Sequence, residues 1–201
     1  ATHLNAAEQE ACAFAIGTLK DSKSIPTLKR LSQSSSSNVK LAALIALYRL
    51  GDISAKEAIE DLAKKTDLFA ISLLGQINGS VPTLTALIDH PDLQVRFNAT
   101  LALLSRKDPA TVKSLIHFLI RDSRDLGFQP QFSVGNSLMA WKVIPSAKQH
   151  QKNNYNDLFT LSLNLRESLL QEALELPEKH FLAIAKALFD SKQTDLIPLL
   201  I

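Results

Sequence analysis

The sequence predicts an all-α fold, a solenoid of antiparallel helix pairs, on three observations. The first is composition. Of 201 residues 46% are apolar and 21% charged, with only one Trp and two Tyr, and few segments show the β-branched alternation of a strand. The second is a long internal match: Asn38–Asp52, NVKLAALIALYRLGD, recurs 56 positions later as Gln94–Asp108, QVRFNATLALLSRKD. The third is a shorter match at the same offset, Ile25–Ser32, IPTLKRLS, against Val81–Ile88, VPTLTALI. An intervening unit aligns Leu47 with Leu74 and Leu74 with Leu103, at offsets of 27 and 29, so two units make the 56. Repeats of this length cannot bury their apolar faces singly and stack on one another.

Each element then follows in order. Ala6–Leu19 carries Ala11, Phe14, Ala15 and Leu19 at helical spacing. Ile25–Leu31 starts a second helix with Pro26 in its first turn, where a missing N–H is harmless. Ser34–Ser37 and Asn38 supply turn and N-cap chemistry for the Asn38–Asp52 helix, and Gly51 and Asp52 suit its end. Ala55–Lys64 turns Ala58, Ile59 and Leu62 inward, and Thr66–Ile77 is its partner. Val81–Ile88, Gln94–Asp108 and Ala110–Ile120 continue the pattern. Residues 1–120 thus form the regular repeats. Residues 121–201 read as divergent helical repeats or a C-terminal cap of the same solenoid. Within them Arg121–Gln131 is a polar connection, Phe132–Ile144 resumes an apolar pattern, and 145–157 is a polar loop; Leu158–Leu174, Pro177–Phe189 and Thr194–Ile201 read as helices.

A short helix opening Val81-Pro82-x-Leu84, a turn with Asp89, then Val95-Arg96-x-x-Ala99-x-x-Ala102-Leu103 resembles HEAT repeats, which share the armadillo-like α-α superhelix. The closest resemblance is to the phycobilisome-lyase-like subclass. The earlier copy keeps Ile25, Pro26, Leu28, Leu31, Val39, Lys40, Ala43, Ala46 and Leu47, and the likeness covers about residues 10–120. It implies that the Val-Arg helices line the concave side and that Asp89 and Arg96 pair structurally at the turn. The small residues Ala43, Ala46, Ala99 and Ala102 fit close approach between helices of neighbouring repeats.

Charge and chemistry narrow the function. No apolar run reaches the ~20 residues needed to span a bilayer. Beginning at Ala1 and ending in LIPLLI, the chain reads as a piece of a longer protein. The lone Cys12, on an apolar helix, reads as a small core residue and leans toward a reducing, cytoplasmic setting. The five histidines lack metal-ligand spacing, so no metal and no cofactor is expected. No phosphate-binding glycine loop or nucleophile motif occurs, and Glu172 with Glu175 or Asp122 with Asp125 reads as solvated charge rather than a catalytic pair.

Two surfaces remain as candidates. If Val39, Ala43, Ala46, Leu47 and Leu50 face the core, then Leu41, Ile45 and Tyr48 fall on another face of the same helix. The corresponding residues are Leu68, Ser72 and Gly75 in the middle copy and Phe97, Leu101 and Leu104 in the last. Two arrangements fit: this face packs on the adjacent repeat or the C-terminal helices, or it forms a groove for a partner's helix. The second surface is basic. Arg106, Lys107, Lys113, Arg121, Arg124, Lys142, Lys148 and Lys152 meet only three acids between 105 and 156, a net +5, with Trp141 and Tyr155 nearby. Basic side chains track phosphates and aromatics stack on bases, although Leu138-x-x-Trp141 also suits a buried ring. HEAT-like DNA glycosylases bind DNA on such a fold, but their catalytic constellation has no match here. The expected function is a non-enzymatic scaffold or adaptor that binds a protein partner. The alternative is a nucleic-acid-binding module, and a third reading, a bilin-lyase-like enzyme, follows from the resemblance alone.

Overall fold

The computed structural model describes residues 4–106, 108, 111–112, 115–116, 126–145, 163–164 and 178–190. The elements are α1 (Ala6–Thr18), a short 3-10 helix (Ser22–Ser24), α2 (Ile25–Leu31), α3 (Ser37–Arg49), α4 (Ser54–Lys64), α5 (Leu68–Leu74), α6 (Val81–Leu87) and α7 (Leu93–Ser105). Three strands follow, β1 (Leu126–Phe132), β2 (Met139–Pro145) and β3 (Leu163–Asn164), and then α8 (Glu178–Asp190). Residues 111–112 and 115–116 are helical, within the expected Ala110–Ile120 helix. The fold class is the expected all-α array of repeated helix pairs, with one small sheet added. The chain divides into two compact units, Ala1–Thr83 with Gln131–Ala140, and Leu84–Pro130 with Trp141–Ile201.

In the first unit the helices end and restart through one recurring device. After α1, α3 and α4 a residue enters the left-handed region, Lys20 (φ 55), Gly51 (φ 95) and Thr66 (φ 66). The aspartate that follows returns its N–H to a carbonyl of the last turn: Asp21 to Ile16, Asp52 to Leu47 and Asp67 to Leu62, at 3.0–3.2 Å. These bonds close Schellman-type caps. The same aspartates then cap what comes next, accepting from the N–H groups of Lys23, Ser54 and Ala70. Each such cap is worth about 1 kcal/mol. The cap at Asp67 also explains why α5 starts at Leu68 rather than Thr66. Asp108, which donates its N–H to Leu103, marks the same step after α7 in the second unit. The serine run makes the turn as expected, but Ser36 at the N-cap of α3 makes no side-chain cap bond. Ser37 instead donates its hydroxyl to Asp67 at 3.0 Å.

The packing of α1 reverses the expectation. It buries Glu10, Ala13 and Gly17, leaving Ala11, Ala15 and Leu19 exposed and Phe14 half-buried. Cys12, expected in the core, is exposed. The reason is proximity: a Cβ on Gly17 would stand 2.6 Å from Ala46 Cα, so α1 crosses α3 on its smallest residues. Bulkier Phe14 and Leu19 cannot occupy that crossing. In α4 the buried stripe is Ala55, Ile59 and Ala63, with Ala58 and Leu62 half-buried at its flank.

The region after 125 departs from the expected helices. Leu126–Phe132 and Met139–Pro145 are strands, in a sheet of order β2-β1-β3 in which β1 pairs antiparallel with β3 through Gly127 and Asn164. Helix is disfavoured here by Gly127, Pro130 and Gly135, and Asn136 takes the left-handed conformation of a tight turn (φ 54). Leu163–Asn164 is likewise strand rather than part of a helix, whereas α8 matches the expected Pro177–Phe189 segment. The 146–157 part of the expected polar loop and the Thr194–Ile201 segment lie outside the described residues.

The turn between β1 and β2 belongs to the first unit and docks on α1 through Glu10, whose side chain is fully buried. Its carboxyl oxygens accept from the Ser133 hydroxyl, from the Gly135 N–H at 2.9 Å and from the Ser137 N–H at 3.1 Å. A buried carboxyl group is tolerated because its lone pairs are met. Gly135 permits the approach, since a Cβ there would lie 2.6 Å from Ala7 O. In the second unit Asn98, buried on α7, engages the edge of β2. Its amide donates to Trp141 O at 2.8 Å and accepts from Trp141 N at 2.8 Å, copying the bonds of a neighbouring strand.

Candidate functional site

Helix α3 packs against α1, α2, α4 and α5, so neighbours cover it on both sides. Every residue from Leu41 to Leu47 is buried. Val39, Ala43, Ala46 and Leu47 are interior as expected, and Leu50 is half-buried. The second face is interior too. Leu41 and Ile45 are buried, as are Phe97 and Leu104 on α7 in the other unit. These four form no open ridge: a helix in the middle of a stack buries more than one stripe. Tyr48, Leu68, Ser72, Gly75 and Leu101 keep partial exposure.

The accessible chemistry of the first unit gathers instead where α1 and α3 end. Tyr48 spends its hydroxyl oxygen on the Asn78 N–H at 3.0 Å. Beside it, the Arg49 guanidinium lies over the Phe14 ring, 4.6 Å from its centroid. Arg49 also donates to Gln76 Oε1 at 3.0 Å and, more weakly, to Thr18 Oγ1 at 3.4 Å. It thereby ties α1 and the end of α5 to α3. Burial holds its pKa below the ordinary arginine value. Phe14, Gly17, Thr18, Lys20 and Arg49 line an open pocket of about 500 Å³ at this edge. Sequence reasoning passed over these residues. The available signal was the recurring left-handed residue and aspartate after each helix, in which Lys20 stands where α3 has Gly51.

At the turn between α6 and α7, Arg96 donates through Nη1 to His90 O at 2.8 Å and to Pro91 O at 2.9 Å. The expected pairing with Asp89 is thus replaced by capping of turn carbonyls, which lie nearer the guanidinium's reach along the helix. Of the basic segment, Arg106 is half-buried and Lys142 exposed on β2. Lys107, Lys113, Arg121, Arg124, Lys148 and Lys152 lie outside the described residues, as does Tyr155. Trp141 is half-buried in β2 rather than enclosed. Among the described residues no group of three His, Cys, Asp or Glu side chains is placed to hold a metal ion. No helix among them is long and apolar enough to cross a membrane.

Comparison with protein-family models matches the chain to HEAT repeats twice, over residues 1–69 and 57–126. No curated protein and no solved structure matches it.

Proposed function

The chain belongs to the HEAT-repeat family, and from that premise we propose that it is a non-enzymatic scaffold that binds a protein partner through the helix layer containing α1, α3 and α5. Members of this family are commonly interaction scaffolds. The observation that carries the reading here is the surface of α1. From Ala11 to Leu19 the sequence has no charged residue, yet Ala11, Cys12, Ala15, Thr18 and Leu19 are exposed, Leu19 by 79%. Depletion of charge with retention of apolar surface is the composition of an interface centre. Tyr48, Leu68, Ser72, Gly75 and Leu101 stay as further contact positions because they are partly accessible. The Val95-Arg96-x-x-Ala99 signature supports the phycobilisome-lyase-like kind of repeat, without carrying over bilin chemistry.

Affinity capture from the native source tests the scaffold, with Ala15→Glu and Leu19→Glu as surface variants. Both keep the wild-type melting temperature, because neither side chain is buried, and both lose the partner. A partner retained by both variants removes α1 from the interface. The second reading, binding of nucleic acid, rests on the net +5 between residues 105 and 156. Oligonucleotide affinity that falls steeply with salt supports it, and absent or salt-insensitive binding eliminates it.

A further inference from the structure

The pocket at the ends of α1 and α3 has two cations among its five lining residues and no acid. Arg49 is held in place by the Phe14 ring, Thr18 and Gln76, none of which neutralises it. A guanidinium carries five N–H donors, and these contacts use two. Burial is the whole cause of its lowered pKa, with no neighbouring carboxylate acting against it. Lys20 is exposed and makes no ion pair among the described residues. The adjacent Asp21 is engaged elsewhere, by the Ser24 hydroxyl at 2.6 Å and the Lys23 N–H at 3.0 Å.

The backbone at Lys20 adds a second observation. Its φ of 55° lies in the left-handed region, as does that of Gly51 at the corresponding end of α3. Glycine adopts this conformation without strain, whereas a residue with a Cβ does so at a cost of about 1 kcal/mol. A lysine is therefore kept at the pocket's rim against local backbone preference.

We propose, resting on the scaffold reading, that this pocket is a carboxylate-binding site that receives an acidic side chain of the protein partner. Arg49 supplies a pre-set planar fork and Lys20 a flexible point charge. The exposed Leu19 beside them meets an apolar neighbour of that acid. A protein carboxylate fits better than a nucleic-acid backbone for two reasons. Residues 1–104 balance ten basic against ten acidic side chains, which makes no phosphate track. The Phe14 ring face is covered by Arg49 and offers no platform for a base.

The test uses fluorescence anisotropy with a labelled peptide of interspersed Glu and Leu, and the same peptide with Gln for Glu. Wild-type protein binds the first and not the second. Lys20→Gly weakens binding by roughly tenfold while its melting temperature holds or rises, and Arg49→Gln removes binding. Equal binding of both peptides, or wild-type affinity in Lys20→Gly, overturns the site. Should Arg49→Gln unfold, Lys20→Gly decides alone, because it relieves backbone strain. A single-stranded oligonucleotide bound as tightly as the acidic peptide, with the same loss in Lys20→Gly, overturns the choice of a protein carboxylate. A native partner retained equally by wild type and Lys20→Gly upholds the scaffold and overturns the pocket. Capture of no native partner by either protein overturns the scaffold itself.

Discussion

Glu10 shows what one residue settles in this molecule. It is acidic, sits on the first helix, and is fully buried because a turn more than 120 residues away brings it three donors. Removing it leaves the Ser133 hydroxyl and the Gly135 and Ser137 amides without their acceptor. Glu10→Ala is expected to cost about 3 kcal/mol, read by chemical denaturation. Hydrogen exchange at the Gly135 and Ser137 amides accelerates in the same variant. Unchanged exchange there would mean that the turn holds its place without Glu10. Nothing in AAEQEACAFAIGT marks this glutamate as interior. Its surroundings suggest an exposed charge, and only the position of the turn makes it a buried one.

Helices are joined by the left-handed residue and the aspartate after it, and this device is the one most legible in sequence once seen. Gly51-Asp52 was readable as a helix stop, whereas Lys20-Asp21 and Thr66-Asp67 were not, since neither lysine nor threonine favours positive φ. The three joints therefore respond in opposite directions to substitution. Thr66→Gly is expected to stabilise the protein by about 1 kcal/mol, and Gly51→Ala to destabilise it by about as much, although nothing lies within 4 Å of a Cβ at Gly51. Thermal denaturation of the pair checks the sign. A shift in the same direction for both would remove backbone strain as the explanation.

Across the molecule, acid is expected to weaken several joints together. The carboxyl of Asp21 is held below the ordinary aspartate value of 3.8, first by the Ser24 hydroxyl, and that of Asp52 likewise by the Ser54 hydroxyl. A folded-state pKa below the unfolded one contributes stability that is present above 3.8 and is lost as pH falls through the lower folded value. The melting temperature should thus stay level in this respect down to about pH 4 and decline below it. Asp52→Asn removes its share of that decline. A profile identical to wild type would show that the Ser54 bond contributes nothing to acid sensitivity.

The sequence by itself determined the repeat, the bounds of most helices between 6 and 105, and the small residues where helices cross. These are local or periodic properties, written by residue size, period and turn chemistry. Only the tertiary structure decided which faces stay open. Leu41, Ile45 and Phe97 sit at positions that a lone helix would expose, yet α3 and α7 bury them. Residues 126–145 carry an apolar pattern compatible with helix, and the sheet appears because Glu10 and Asn98 satisfy the backbone of its turn and edge. Burial depends on what lies across from a side chain, and periodicity along one helix holds no record of its neighbours. The grouping of Phe14, Lys20 and Arg49 at one edge is of the same kind: each is ordinary in its own helix, and only stacking makes them a pocket.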